Sequence, residues 1–533
     1  MQPKFLYITI LTAILFFVLF VFPIYAITIH VPGDYPTIQQ GLNAAQSGDT
    51  VLVAPGTYTE NITWPSRDGV VLTSESGANT TIIDGGGAGT TVTFPSFSFT
   101  QNTIITNFTV QNGAVTKGAG LYVRGSPYIL ANIIQRNIAQ GTSTWVYGGG
   151  IYCYGTASPL IEGNLIRGNV AKGEYWNYGG GIYVDYNNSA TILGNTVEND
   201  SVIGGSWNYG AGIYCDGQSS PTIMHNIIQY NAAYQGSRGH GVGIYSDHDA
   251  NSYILSNIIY NNTAQSGSWN YGAGILVNNG AIVINNTIVE NKCLGGTWRY
   301  GGGILIYDST NTIGNNIVAN NTASSGGGIY ASANGYATLL NNDVWNNSGG
   351  NYSGITPGSN DISLDPLFVT GPLGDYYLSQ TSSGQGQDSP CLDYGFATAE
   401  SLGLDTYTTR TDTVPDSGIV DLGYHYPTGY QSSVEEIKQE FTEIPMNVYP
   451  SVSNSLFRIR LELSRSQKVK VEIFDVAGNL QTVLLNDNLS AGKYSWEWNG
   501  VLKNGKKAPT GKYFIRINAG KERIYCKNAV LIR

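Results

Sequence analysis

The sequence predicts an all-β chain, a long parallel β-solenoid followed by a small antiparallel β-sandwich. Three observations carry this expectation. Glycine accounts for 68 of 533 residues and charged residues for only 12%, with 37 Tyr and 9 Trp, a balance of turns and strands rather than helical bundles. Two short motifs recur in step through the middle of the chain. After Ile444 the pattern changes to longer alternating runs, and the charge changes sign.

The N-terminus comes first. Met1–Ala26 reads as an export signal, with Lys4 ahead of the apolar run Phe5–Phe22 and Pro23 and Ala26 preparing a cut before Ile27. If uncut, the run is long enough to anchor in a bilayer. Either outcome predicts a secreted or cell-surface protein, with no membrane span after signal cleavage. The five cysteines, Cys153, Cys215, Cys293, Cys391 and Cys526, form no C-x-x-C pair, so neither a disulfide framework nor a zinc site is expected.

The repeat decides the body, residues 27–426. A Gly-x-Gly-aliphatic-(Tyr/Leu) unit starts at Gly118, Gly148, Gly179, Gly210, Gly241, Gly272, Gly301 and Gly326, at spacings of 25 to 31 residues. An Asn-x-(Ile/Val/Thr)-x-x-Asn unit keeps the same step from Asn107 through Asn132, Asn164, Asn195, Asn226, Asn257, Asn286 and Asn316 to Asn342, with Asp200 replacing one closing Asn. Between the motifs lie short alternating runs such as Ile182–Asp185, with no helical period. A coil of this length with about three strands fits a stacked parallel β-helix; propeller blades need ~40 residues. Stacked Asn amides both donate and accept, so they read as a structural ladder.

Stacking turns repeats into columns about 4.8 Å apart. Ile151, Ile182, Ile213, Ile244 and Ile275 are expected to face inward, so Tyr152, Tyr183, Tyr214 and Tyr245 face outward. The next inward row contains Cys153 and Cys215, two coils apart and too distant to bond. The next outward row brings Asp185, Asp216 and Asp247 into line. Three readings stay open for these acids: a calcium site of oxygen ligands, an acid–base pair acting on a sugar polymer, or solvated surface charge. His248 follows as a candidate general base.

A second aromatic row, Trp145, Trp176, Trp207, Trp269 and Trp298, lies three residues before each Gly unit, with Tyr two residues later. Arg238 and His240 replace the pair in one coil. The Trp-x-Tyr-Gly stretch is expected on a longer turn. Such rings either dock sugar faces or stack on one another to fasten the turns. The substrate-contacting candidates are Tyr183, Tyr214, Tyr245, Trp176, Trp207, Trp269 and His240; the catalytic candidates are Asp185, Asp216, Asp247 and His248; the candidate calcium ligands are the same three aspartates. No cofactor is required by the sequence.

The body resembles the right-handed parallel β-helix family with the pectin-lyase-like fold. The start Val31-Pro-Gly-Asp-Tyr-Pro-Thr-Ile-Gln39 and Gly48-Asp-Thr-Val-Leu-Val-Ala-Pro-Gly-Thr-Tyr58 is similar to that family's N-terminal coil, with Thr37–Ala45 as its capping helix. Asp365-Pro-Leu-Phe368 and Gly418–Tyr426 are similar to its C-terminal close. The resemblance implies the right hand of the coil but no single activity, because the fold carries lyases, hydrolases, adhesins and inert spikes. Gly239-His240-Gly241 is similar to a polygalacturonase motif, but its companion Asn-Thr-Asp, Asp-Asp and Arg-Ile-Lys motifs are absent, as is the basic cluster of pectate lyases.

A linker, residues 427–443, leads to the tail, residues 444–533. The tail carries 15 Lys and Arg against 6 Asp and Glu, while the rest carries 12 against 31. Overall the chain has a net charge of −10, which argues against a nucleic-acid partner. Six or seven short strands predict an antiparallel sandwich. The tail resembles the Ig-like module of flagellar-hook capping proteins and the sorting domains of type IX secretion through Val471-Glu-Ile-Phe-Asp-Val-Ala-Gly478, Leu489-Ser-Ala-Gly492, Trp498-Asn-Gly500 and Pro509-Thr-Gly-Lys-Tyr-Phe514. The resemblance implies a partner in the envelope or secretion machinery. The sequence therefore predicts an exported β-helix that binds a polysaccharide or other glycan along one face and either cleaves it or not; the alternative is a non-catalytic adhesin, surface-layer or scaffold protein.

Overall fold

A computed structural model of the chain describes residues 26–142, 145–247, 250–278 and 280–428, and most of residues 446–531. The leader, His248 and Asp249 lie outside the described residues.

One coil shows how the sequence builds the body. Strands Ile151–Tyr154, Leu160–Glu162, Leu165–Arg167, Val170–Lys172 and Trp176–Tyr178 follow one another, and the next coil opens at Ile182–Asp185. A coil thus has five short strands where three were expected. The reason is the Trp-x-Tyr stretch and the run before it, which pair in parallel from coil to coil. Trp145, Trp176, Trp207, Arg238, Trp269 and Trp298 are in register within a six-stranded sheet rather than on a loose turn. Corresponding strands form further parallel sheets of 21, 11 and seven strands among the described residues.

Ile151, Ile182, Ile213, Ile244, Ile275 and Ile304 align one above another and are fully buried in the axial core. Each contributes about 2–3 kcal/mol of transfer free energy. Cys153 and Cys215 lie in the same core as free, buried thiols. The N-terminal end is closed by a helix at Ile38–Ala44, whose Thr37 cap accepts from the Gln40 N–H and whose Ile38 and Leu42 are buried.

Two amide columns fasten the coils. Asn226 accepts from the Asn195 N–H and side-chain amide, at 2.8 and 3.0 Å. It donates to the Ile192 and Met224 carbonyls and to Asn257 Oδ1. The pattern runs from Asn132 to Asn342, where Asp361 ends it. A second column contains Asn137, Asn169, Asp200, Asn231, Asn262, Asn291, Asn321 and Asn347.

Asp200 is the flaw in that column. Its Oδ1 accepts from Asn169, but its buried Oδ2, standing where its neighbours carry an NH2, has no hydrogen-bond partner. Burial drives its pKa well above the usual carboxylate range. A raised carboxyl contributes fully below the unfolded pKa of ~3.9 and loses that contribution as pH rises toward its folded pKa. Asp200→Asn restores the donor and removes the ionisation cost. We expect it to stabilise the body by about 2 kcal/mol near neutrality and to show a smaller gain at pH 4, measured by paired thermal melts at the two pH values.

The segment after the last coil does not continue the stack. Residues 366–427 fold back over the outer face of the 11-stranded sheet. Asn285 donates to the Asp421 carbonyl at 2.9 Å, Tyr424 N–H to Thr287, and Phe396 N–H to Asn315. His225 stacks on Tyr407 at 4.1 Å. The expected C-terminal close is therefore a lateral strap as well as an end.

The tail forms the expected sandwich, antiparallel except where Val452–Ser453 pairs in parallel with Arg523–Leu531. One sheet joins Met446–Tyr449, Phe457–Leu463 and Gly492–Trp498; the other orders Val452–Ser453, Arg523–Leu531, Gly511–Ala519, Gln467–Asp475 and Leu480–Leu489. Phe457, Trp498, Val471 and Ile515 share its core.

Candidate functional site

Each Gly-x-Gly unit bends the chain sharply between the Trp-x-Tyr strand and the isoleucine strand. Gly148 holds φ 60°, in the left-handed region, and a Cβ on Gly150 would stand 2.6 Å from the Gly181 carbonyl oxygen. Only glycine permits this bend and this coil spacing. The bend sets the six-stranded sheet as a wall beside the outer face of the isoleucine strands, which form the floor.

This corner changes the reading of the outward tyrosines. Tyr152, Tyr183, Tyr214 and Tyr245 do leave the axial core, but each is no more than 5% exposed. The wall tyrosines cover them: Tyr147 lies 5.4 Å from Tyr183, and Tyr178 lies 5.0 Å from Tyr214. Alternation gives the side a residue faces, not what is folded over it. The floor rings touch at 5.0 to 5.2 Å: Tyr183 stacks on Tyr152 and lies tilted to Tyr214, and Tyr214 meets Tyr245 edge-on.

The outermost row is tryptophan. Trp145 and Trp176 lie 5.8 Å apart, and Trp176 and Trp207 lie 6.4 Å apart. The break in the motif is filled rather than empty. The Arg238 guanidinium lies 3.6 Å from the Trp207 ring centroid and 4.2 Å from that of Trp269, a flat cation clamped between two indoles. His240 continues the tyrosine row, stacked 4.7 Å from Tyr271. Burial, then Arg238, lowers its pKa to about 3, so it stays neutral.

The three aspartates follow one another along the ladder: Asp216 N–H donates to the Val184 carbonyl and Asp247 N–H to that of Cys215. Their partners are tyrosine hydroxyls and amides. Tyr152 donates to Asp185 at 3.0 Å, and Tyr214 donates to Asp247 at 2.6 Å and to Asp216 at 3.2 Å. Asn278 donates to Asp247, and the Gly217 N–H to Asp216 at 2.7 Å. Burial first, then Asp247, raises the Asp216 pKa to about 6. Burial also raises Asp185, opposed by Tyr152, Tyr183 and Lys117. The acids lie one per coil in a line. Among the described residues no three acidic, imidazole or thiol groups converge on one point.

At the N-terminal half of the corner the rings leave a shallow concavity of about 440 Å³, lined by Trp145, Tyr147, Trp176, Tyr178, Tyr183, Trp207 and Asp216. Of the sequence candidates, it brings together Tyr183, Trp176, Trp207 and Asp216. Tyr214, Tyr245, Trp269, His240, Asp185 and Asp247 are not among its lining residues, and His248 lies outside the described residues. Trp145, Tyr147 and Tyr178 also line it; the sequence places them in the aromatic row but not among the substrate-contacting candidates. A second concavity, of about 550 Å³, lies in the strap against Leu367, Phe368 and Gln385.

The right handed beta helix region family matches residues 58–292, a disaggregatase-related family matches residues 220–395, and the FlgD Ig-like domain family matches residues 449–522. The chain therefore carries a right-handed parallel β-helix and a C-terminal FlgD Ig-like domain. No curated protein matches the chain. Among solved structures, the PL6 family alginate lyase AlyGC is similar at 13% identity and TM-score 0.30, over 68% of this chain and 57% of that one. Dimeric latent PorU from Porphyromonas gingivalis is similar at 16% identity and TM-score 0.15, over 22% of this chain and 11% of that one. The chain thus spans a little over half of one of these proteins and about a tenth of the other.

Proposed function

We propose that this is an exported polysaccharide-binding protein that docks a glycan chain in the corner between the tryptophan wall and the tyrosine floor. One observation carries the reading: three successive coils present Trp145, Trp176 and Trp207 beside a carboxylate in one open concavity. Flat indole faces in a row offer apolar area to pyranose rings, while Asp216 and the tyrosine hydroxyls offer polar contacts. The matches to the right handed beta helix region and disaggregatase-related families are in keeping with this reading. The apolar leader supports export, and the basic Ig-like tail is the part we assign to attachment or sorting at the envelope. No helix among the described residues is long and apolar enough to cross a membrane.

The test is a glycan-array screen of the purified protein, with each hit incubated and checked for chain shortening. Binding supports the proposal; no binding across a broad array sinks it. A second reading, a non-catalytic adhesin or scaffold, is favoured by the way the rings and Arg238 stack on one another, which fastens the wall without any ligand.

If chains are shortened, the acid–base work falls to the aspartate column, with Asp216 at the concavity. The triple variant Asp185→Asn, Asp216→Asn, Asp247→Asn should then lower turnover by about 10²–10⁴-fold while the melting curve stays cooperative. Turnover that persists in that variant excludes the column as the catalytic group.

A further inference from the structure

We infer that the corner selects neutral or ammonium-bearing glycans and discriminates against uronate chains. This rests on the docking reading above and adds the sign of the ligand's charge. Among the described residues lining the concavity, Asp216 is the one charged side chain. The charges acting on it are Asp247 and Asp185, both carboxylates from adjacent coils.

Two cations stand against opposite ends of the corner, and both keep their charge in the ring contacts they make. Arg238 is held between Trp207 and Trp269. Lys117 lies over the Tyr147 ring at 4.9 Å and acts on Asp185. At Asp216 itself the acting charges are carboxylates, so a sugar group placed there meets negative potential. Asp216 Oδ1 accepts from Gly217 and Oδ2 from Tyr214. Each oxygen retains acceptor capacity for a sugar hydroxyl or ammonium. A uronate carboxylate at the same place offers no donor and repels the acids.

The test uses the whole protein and three oligosaccharides of equal length: β-1,4-linked glucosamine, its N-acetylated counterpart and oligogalacturonate. Quenching of tryptophan fluorescence reads binding. The glucosamine oligomer should bind at least about tenfold tighter than the uronate, with the neutral oligomer between them. That gap should shrink on going from about 0.1 M salt, where the screening length is ~10 Å, to about 1 M, where it is ~3 Å. Asp216→Asn, checked for fold by circular dichroism, should bring the glucosamine-to-uronate ratio to within about threefold. The salt series on the unaltered protein carries the test if that variant misfolds.

Uronate binding as tight as the neutral oligomer, or a salt-independent order, overturns the inference and leaves the docking groove standing. Quenching by none of the three overturns this inference, and the groove then stands or falls on the broad glycan array.

Discussion

Asn226→Ala is expected to open the solenoid locally and is the most destabilising single change considered. The deletion leaves the Asn195 N–H without its acceptor and the Ile192 and Met224 carbonyls without their side-chain donor, in a column whose asparagines are buried. A buried group stripped of its partner costs roughly 1–3 kcal/mol, so a loss of about 3–5 kcal/mol is expected. Stacked coils exchange energy only with their neighbours, so the loss should be local. Hydrogen exchange should show protection falling by at least ~100-fold in the coils around Asn195, Asn226 and Asn257, with the N-terminal coils little changed. Uniform protection in the variant would show that the column is not what holds the coils.

The second large effect concerns binding. Trp145→Ala with Trp176→Ala removes two adjacent indole faces from the concavity and leaves the Arg238 clamp on Trp207 and Trp269 intact. A covered indole face is worth roughly 2 kcal/mol of apolar burial, so the pair should weaken glycan binding by at least ~100-fold. Trp298 is also nearly half exposed but is not among the concavity's lining residues, so Trp298→Ala should change affinity by less than about threefold. Calorimetry on a hit from the glycan screen measures both. Equal losses in the two variants would place the sugar along the whole wall.

The axial core was legible because its period is a whole number of coils. Once Ile151, Ile182 and Ile213 are spaced equally, stacking follows without knowing the path between them. The amide columns were legible for the same reason. The tyrosine floor was legible only by half. Alternation put Tyr183 and Tyr214 outside the core, yet their burial depends on a second strand that the Gly-x-Gly bend brings beside them. That strand is three residues long, too short to declare itself by alternation, and so it read as a turn. Arg238 looked like an interruption because letters differ where shapes agree: a guanidinium is as flat as the indoles it joins. The strap was recognised as a close, but its path across the sheet depends on contacts such as Phe396 with Asn315, 81 positions apart.

The amide columns also give the body an arrow. Each side chain hands its NH2 group to the oxygen one coil further along, so the amide dipoles point the same way from Asn132 to Asn342. The two ends are unlike. The first oxygen is met by the Phe108 N–H, and the last NH2 meets the Asp361 carboxylate, an anion placed at the positive end of the series. Length is then counted in whole coils and fixed by the two terminators, not by the stack. Removing Ile182–Gly212 would join Gly181 to Ile213, pass the chain of dipoles from Asn164 to Asn226 unbroken, and yield the same solenoid one rung shorter. Descent within such a lineage can change the reach of the wall by copying or losing rungs, while the cap and the strap stay as they are.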